Sequence, residues 1–507
     1  MIDSVTYFKN LADPKDYERI NKLNTINEML VNVENEYLDL PAFGIGGQII
    51  TYREALQDAT NGRGFLSEHA PKKKAHIGLL LKNDYNFVKV FLSAVSRGDV
   101  AVLIPYQVSS EDLNGILHLC EVDLLVYDEE AEERVQQVKA MNSKVKFFPS
   151  LAFKSSKTAP MAEDLDSESD AVIIFTGGTS AKAKAVLLGH GAIMRGVYNG
   201  CLGYKHVFEK RYFSLIPLTH VFGLIRNMLT SIYTRSTFYL CPNMRDMFKE
   251  LPAARPTILV VVPELAKLFY GIMKSKGVNA IGGCLDTVIC GGAPVPAYLP
   301  GAYASLGIDF FPGYGLTETA NLVSGNGSFM EHPDSVGMPY DGQEFKVVDG
   351  ELWIKGDNIM KCYYNNPLET TNSFEDGYFK TGDLARFDEN GLLYIVGRKK
   401  NLIVLANGEN ISPEELEAKL NQVPFIQDSL VYQDTNEFGN GVIVAEVLPN
   451  KTVLEAMKVE NPEVVIKEAI AKLNTSLPTY SRIASIIVRT TDFTRSPSMK
   501  IIRPKKN

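Results

Sequence analysis

The segment Thr176-Gly177-Gly178-Thr179-Ser180-Ala181-Lys182-Ala183-Lys184 follows an apolar run that ends at Phe175. Its paired glycines let backbone N–H groups approach a polyphosphate closely, its three hydroxyls add donors, and its two lysines offset phosphate charge. The spacing G-x-x-x-x-G-K-[ST] cannot be fitted to it, so it is not a Walker A loop. The same residues also read as an exposed Gly/Ser/Thr turn. A second cluster, Gly313-Tyr314-Gly315-Leu316-Thr317-Glu318-Thr319, follows the apolar run Ile308–Phe311. A carboxylate beside a hydroxyl can hold Mg²⁺ against phosphate oxygens, and a tyrosine ring can stack on a base.

Three further pieces carry weaker signals. Cys290-Gly291-Gly292-Ala293-Pro294 also ends an apolar run, and its small residues would admit a flat ligand. This segment and the Gly313 cluster can equally be two unrelated tight turns. Thr381-Gly382-Asp383 precedes Arg398 by fifteen residues. A carboxylate can accept from both hydroxyls of a ribose while a guanidinium donates from the other side; in isolation the aspartate is an ordinary turn residue. Lys500 sits near the C-terminus, where lysines are ordinarily solvated, and His220 lies on an apolar stretch, where a lone histidine is ordinarily a satisfied core residue.

These residues need elements to position them. The chain has 507 residues, 45% hydrophobic and 22% charged, with 39 Gly and 25 Pro. At roughly 100–200 residues per domain that allows three units, or one large body with an appendage. Disorder, collagen and disulfide-scaffold readings are excluded by this composition. The net charge of −8 disfavours a nucleic-acid binder. Six cysteines without C-x-x-C spacing point to free thiols in a reducing compartment. The polar N-terminus gives no secretory signal and no run is long enough to span a membrane, so a cytoplasmic protein is expected.

Short apolar runs alternate with amphipathic stretches from residue 75: strands at His76–Leu81, Val100–Ile104 and Asp123–Tyr127, helices at Tyr85–Arg97 and Ser110–Leu119. This alternation predicts an α/β fold with mostly parallel, helix-covered sheets. It recurs through Ala171–Phe175, Tyr212–Ile216, Thr257–Val262, Thr287–Ile289 and Ile308–Phe311. After Gly337 shorter segments with turn signals predict a β-rich subdomain over about 338–398. Ser412-Pro413-Glu414-Glu415 then reads as a capping box opening a separate, smaller α+β unit. The expected organisation is a body over 1–398, a hinge at 399–401 and a lid over 402–507.

Taken in order, the hydroxyl/glycine loop, GYGLTE, TGD, GRKKN and a terminal lysine resemble the adenylate-forming, AMP-binding superfamily, in its acyl- and aryl-CoA synthetase branch. Supporting stretches are Ile50-Thr51-Tyr52-Arg53-Glu54, Ile216-Pro217-Leu218-Thr219-His220-Val221-Phe222-Gly223, Tyr363-Tyr364-Asn365-Asn366-Pro367, Lys399-Lys400-Asn401-Leu402-Ile403 and Gly408-Glu409-Asn410-Ile411-Ser412-Pro413. The similarity runs from about Ile50 to Arg503. It implies a two-step reaction: a carboxylate attacks the α-phosphorus of Mg·ATP, giving an acyl-adenylate and pyrophosphate, and a thiol then takes the acyl group.

By the same matching, Thr176, Gly177, Gly178, Thr179, Ser180, Lys182 and Lys184 would form the β/γ-phosphate loop. Gly292 and Tyr314 would frame the adenine, with Ala293 and Gly315 beside them in the nucleotide site. Thr317 would contact phosphate, Glu318 would ligate Mg²⁺, and Asp383 with Arg398 would clamp the ribose. Lys400 falls at the hinge, Gly408 along the thiol channel, and Lys500 would bridge substrate carboxylate and α-phosphate. His220 would lie beside the substrate carboxylate; Phe213, Ser214, Leu215 and Thr219 offer no acid for an α-amino group. The chain departs from the family loop at Gly177, Ser180, Ala181, Ala183 and Ala185, and has Met499 where a glycine usually precedes the lysine and Thr219 where an aromatic precedes the histidine. The implied partners are ATP, Mg²⁺, CoA and a fatty or other apolar acid. The rivals are transfer to a carrier-protein thiol, and a non-catalytic nucleotide or acyl-AMP binder.

Overall fold

The computed structural model describes residues 3–176, 183–327, 329–405, 410–435, 441–495 and 501–503. The alternation after residue 75 folds into a seven-stranded sheet. Its order is Cys362–Tyr363, Ala185–Gly189, Asp170–Phe175, Val100–Leu103, His76–Leu80, Leu124–Tyr127 and Lys146–Pro149. The last five strands pair in parallel. The helix Tyr85–Arg97 begins where the Asp84 carboxylate accepts from the Asn86 and Phe87 amides, and ends at Gly98 with φ 84°. Only glycine adopts that left-handed backbone at little cost, so the stop is written into the chain. Its apolar face is buried with Ile77, Leu79, Leu103 and Val126 in the largest core, while Val102, Leu125 and Ile173 face a second core.

The first two strands of that order reverse the pattern. Asp170–Phe175 and Ala185–Gly189 pair antiparallel, with Phe175 opposite Ala185 and Thr176 N–H donating to the Lys184 carbonyl at 3.0 Å. The hydroxyl/glycine segment is therefore the connection of a hairpin at the sheet's C-terminal end, rather than a strand-to-helix turn.

A second sheet, Ile258–Val261, Thr287–Cys290, Asp309–Leu316, Asn321–Gly325 and Met338–Pro339, changes from parallel to antiparallel at Asp309–Leu316. A smaller sheet joins Gln48–Thr51, Pro41–Ile45, Thr237–Tyr239 and Arg211–Phe213. The segments after Gly337 form the β-rich sheet the sequence predicts, with Glu344–Val348, Glu351–Lys355 and Tyr378–Phe387 antiparallel and Leu393–Arg398 added beside Tyr378–Phe387.

The C-terminal strands Ile426–Thr435, Gly441–Pro449 and Ser485–Val488 make a sheet of their own. Together with the helices Pro413–Leu420 and Pro462–Thr475 they enclose a core of Ile403, Ile411, Leu416, Leu420, Val431, Ala445, Ile466 and Ile470. The fold is α/β: a large N-terminal body of mixed, helix-covered sheets and a smaller C-terminal unit. Among the described residues no helix is long and apolar enough to cross a membrane, and all six cysteines are unpaired.

Candidate active site

Lys184 leaves the hairpin beside the helix Pro367–Ser373. Its ammonium pairs with Glu369 and lies 4.5 Å from the centre of the Tyr363 ring. Glu369 is placed there by helix-start chemistry: Asn366 accepts from the Glu369 amide at 3.1 Å and Pro367 takes the first helical position. The Tyr363 hydroxyl in turn donates to Glu318 Oε1 at 2.8 Å. Burial first, and then the Glu318 charge, holds that phenol protonated well above its ordinary range. The hydroxyl/glycine loop and the GYGLTE cluster are thus joined through one tyrosine. Thr317 and Glu318 open a short 3₁₀ turn directly after the strand Asp309–Leu316, and both remain partly exposed.

A second constellation adjoins it. Asp383 and Arg398 are direct cross-strand partners in the β-rich sheet. The guanidinium meets the carboxylate at 2.5 Å (Nε–Oδ1) and 3.3 Å (Nη2–Oδ2). The Tyr314 hydroxyl donates to Asp383 Oδ2 at 2.6 Å. Burial and then the Asp383 charge keep that hydroxyl protonated. Burial works against the Arg398 cation, but Asp383 overcomes it and holds the group above its usual range. Gly382, at φ 70°, lets the chain turn so that its amide donates to Glu351 at 2.9 Å, leaving Asp383 pointing inward.

Lys400, two residues beyond Arg398, links the two constellations. Its pKa falls below the ordinary lysine value, first through burial and then through the nearby charges of Arg398 and Lys184, while Asp383 and Glu318 oppose the fall. The site therefore gathers Lys184, Arg398 and Lys400 with Glu318, Asp383 and Glu369, so that each cation would have to change partner to meet an anionic ligand.

Gly292, at φ 81°, and Ala293 end the strand Thr287–Cys290, next to Asp309–Leu316, and both are at least partly open to solvent. Gly315 has a different reason for being glycine. A Cβ there would lie 1.7 Å from the Asn321 carbonyl oxygen, so the antiparallel pairing itself excludes any side chain. His220 closes the turn Pro217–His220, which Asn83 clamps by accepting from the Leu218 amide at 2.9 Å and donating to the Ile216 carbonyl at 3.1 Å. The His220 Nδ1 accepts from the Phe222 amide at 3.2 Å, which places the ring proton on Nε2. Phe222 packs toward Gly291, so His220 sits on the flank of the same strand ends. Gly177, Gly178, Thr179, Ser180, Lys182, Gly408 and Lys500 lie outside the described residues.

Sequence reasoning did not assign Tyr363, Glu369 or Glu351 a place in the site. Tyr363 lies in the quoted Tyr363–Pro367 stretch, and Asn366-Pro367-x-Glu369 is a legible helix start, but neither signal says which distant group is met. As to a metal, Glu318 and Thr317 supply hard oxygen donors, and no group of three or more His, Cys, Asp or Glu among the described residues forms an all-protein cage. One carboxylate plus a hydroxyl fits Mg²⁺, which takes most of its ligands from water and substrate phosphates.

The "AMP-binding enzyme" family profile matches residues 31–364, and the "AMP-binding enzyme C-terminal domain" profile matches 400–506. The long-chain-fatty-acid–CoA ligase FadD15 of Mycobacterium bovis is 27% identical over 332 residues, 56% of this chain. The match spans only 55% of that protein's length. The 2-succinylbenzoate–CoA ligase of Bacillus cereus is 26% identical over 430 residues, 82% of this chain and 87% of the relative. The o-succinylbenzoate CoA synthetase MenE of Bacillus subtilis, solved with ATP and magnesium ion, superposes with a TM-score of 0.78 at 22% identity, over 93% of this chain and 98% of that one. With both profiles matched in sequence order, the first over more than half of its length, the chain belongs to the AMP-binding enzyme family.

Proposed function

We propose that the protein activates a carboxylic acid with ATP and transfers the acyl group to the thiol of CoA. One observation carries this reading: Glu318, Lys184, Arg398, Lys400, Tyr314 and Asp383, from four separated segments, are brought near one another at strand ends. In the first step a carboxylate oxygen of the acid bonds to the α-phosphorus, the bond to the bridging oxygen of the β-phosphate breaks, and pyrophosphate leaves. In the second, the thiol sulfur bonds to the acyl carbon, the bond to AMP oxygen breaks, and the thiol proton goes to solvent.

In this reading Asp383 accepts from the ribose hydroxyls, with Tyr314 and Arg398 holding its carboxylate in place. The Tyr314 ring and the Gly292–Ala293 backbone flank the base. Lys184 leaves Glu369 for the phosphates, and residues 177–182 cover them. Mg²⁺, held by Glu318 and Thr317 with phosphate oxygens, would neutralise charge on the triphosphate. Adenylation brings two anions together, so positive charge and alignment are what the protein must contribute. Lys500, on a lid over 402–507 that turns about 399–401, delivers that charge and then withdraws to admit the thiol. His220 orients the substrate carboxylate.

The acid is proposed to have an apolar body, since the relatives' names include a long-chain fatty acid and an aryl acid. The unpaired cysteines support a reducing, cytoplasmic setting. Acid-dependent ATP–pyrophosphate exchange tests the first step: exchange above background with at least one acid of a broad panel is expected, and its absence with every acid refutes the ligase reading in favour of a nucleotide binder. Offering CoA and a phosphopantetheinylated carrier protein to preformed acyl-adenylate tests the second, with CoA expected as the faster acceptor.

A further inference from the structure

Of the two ion-paired cations in the site, Lys184 has the partner that is easier to leave. Asp383, opposite Arg398, is 5% exposed and is held by the Tyr314 hydroxyl as well. Glu369, opposite Lys184, is 37% exposed, and among the described residues its carboxylate accepts from no other group. Both backbones are nonetheless fixed. The Lys184 carbonyl closes the hairpin by accepting from the Thr176 amide at 3.0 Å. The Glu369 amide donates to Asn366 in the first turn of the helix Pro367–Ser373.

Between them the buried Tyr363 ring forms a floor, its centre 4.5 Å from the Lys184 ammonium. A cation over a ring face gains a little more attraction there. The ring's hydroxyl is committed elsewhere, donating to Glu318 at 2.8 Å. The ammonium can therefore move off the ring without disturbing the carboxylate proposed to hold Mg²⁺. A pair this open to solvent is weak in absolute terms. A polyphosphate, with several negative charges, attracts the same ammonium more strongly than one carboxylate does.

We propose that Glu369 is a positioning residue that parks Lys184 in the empty site and so sets the affinity for polyphosphate. The ammonium leaves Glu369 when the β- and γ-phosphates arrive and returns to it when pyrophosphate departs. This rests on the placing of the triphosphate against Lys184 in the reading above. Glu369 thus weakens ATP binding by the cost of breaking one pair, and by the same amount favours release of pyrophosphate. AMP, which ends at the α-phosphate, does not call the lysine away and is indifferent to Glu369.

Direct titrations of Mg·ATP, Mg·pyrophosphate and AMP, with no acid present, test this. Glu369→Gln is expected to bind ATP and pyrophosphate about threefold to fivefold more tightly than wild type, the range of a partly exposed ion pair. Its affinity for AMP and its melting temperature should be unchanged. Glu369→Ala, which removes the amide oxygen too, should show the same split. In a Lys184→Met background the Glu369 substitutions should make little further difference, because the two residues act as one unit. An unchanged or weaker affinity for ATP overturns the proposal, and so does an equal gain for AMP, which would mark a general change in the site. A gain that persists with Lys184→Met also overturns it, since Glu369 would then act by repelling phosphate directly. Failure of acid-dependent exchange alongside the expected split would refute the ligase reading and leave this role of Glu369 standing.

Discussion

Asp383 shows how much of the site depends on single contacts. Its carboxylate is almost wholly buried and satisfied by Arg398 from the neighbouring strand and by the Tyr314 hydroxyl. Asp383→Asn keeps the shape but removes the charge that orders both partners. The Arg398 guanidinium is partly solvated, so the stability loss is expected at about 1–2 kcal/mol rather than the larger cost of a fully buried pair. The larger effect should fall on ATP: a KM raised by roughly tenfold or more, read in pyrophosphate exchange, because a good hydrogen bond to a charged group is lost. An unchanged KM for ATP would remove Asp383 from the nucleotide site. Tyr363 gives a second test, since its hydroxyl donates to Glu318. Tyr363→Phe should lower kcat/KM for ATP by roughly fivefold to tenfold, as expected for about 1 kcal/mol. The melting temperature should stay near wild type; an undiminished rate would show that Glu318 needs no such support.

At the scale of elements, the helix Pro413–Leu420 was legible from its first residues. Ser412 caps it, accepting from the Glu415 amide, and Leu416 and Leu420 enter the C-terminal core. What the local pattern could not show is that Glu417 faces inward too. It accepts from the Val431 amide at 2.7 Å and from Arg503 at 2.6 Å. Burial pushes its carboxyl up from 4.5 to about 7 despite the pull of Arg503. A carboxyl with a raised folded value binds more protons folded than unfolded between those two pH values. Its contribution is complete below about 4.5 and is lost as pH rises through about 7. Buried His190 acts in the opposite direction, its imidazole pushed down to about 4 by burial, so the effect must be isolated by difference. The stability of wild type minus that of Glu417→Gln should fall by about 2–3 kcal/mol between pH 4.5 and pH 8 in denaturant titrations. Parallel curves would show that Glu417 titrates normally.

The same scale explains which elements were readable. Tyr85–Arg97 and Ser110–Leu119 are found where periodicity and caps place them, because their signals are local. The strands Ala185–Gly189 and Asn321–Gly325 were not anticipated, since their identity depends on hairpin partners rather than on their own pattern. The π-helix Phe222–Leu229 is likewise invisible in sequence: an apolar run does not report whether it is wound i→i+4 or i→i+5. In the site, Asp383 and Arg398 were readable as a pair, whereas Tyr363 on Glu318 and Glu369 on Lys184 join residues 45 and 185 apart.

At the scale of the whole molecule, the body and the C-terminal unit are tied by charge. Lys267, on the helix Pro263–Lys276, reaches Asp428 of the C-terminal sheet at 3.3 Å and Glu264 of its own helix at 2.8 Å. Arg495 meets Asp428 at 2.7 Å and Glu264 at 3.8 Å. Asp428 is buried, so these charges interact more strongly than an exposed pair would. Glu264 stands just beyond the strand Ile258–Val261, whose last residue pairs with Cys290, so the tie lies beside the Gly291–Gly292 end of the site. On the C-terminal side, Arg495 pairs with Ile501, the residue after Lys500. On the proposed reading, in which Lys500 acts from a turning C-terminal unit, this cluster would hold the orientation used for adenylation and would have to break for the unit to turn. Lys267→Met leaves Asp428 paired with Arg495 inside the lid while cutting a link to the body. It is expected to slow adenylation on the order of tenfold, the rate change that matches about 1.4 kcal/mol. Thiol transfer from preformed acyl-adenylate should be unchanged or faster. Raising the salt concentration should slow wild-type adenylation and leave the variant less affected, since only the wild type has this link to screen. Equal losses in both half-reactions would mean that Lys267 supports the body's fold and does not set the lid's position.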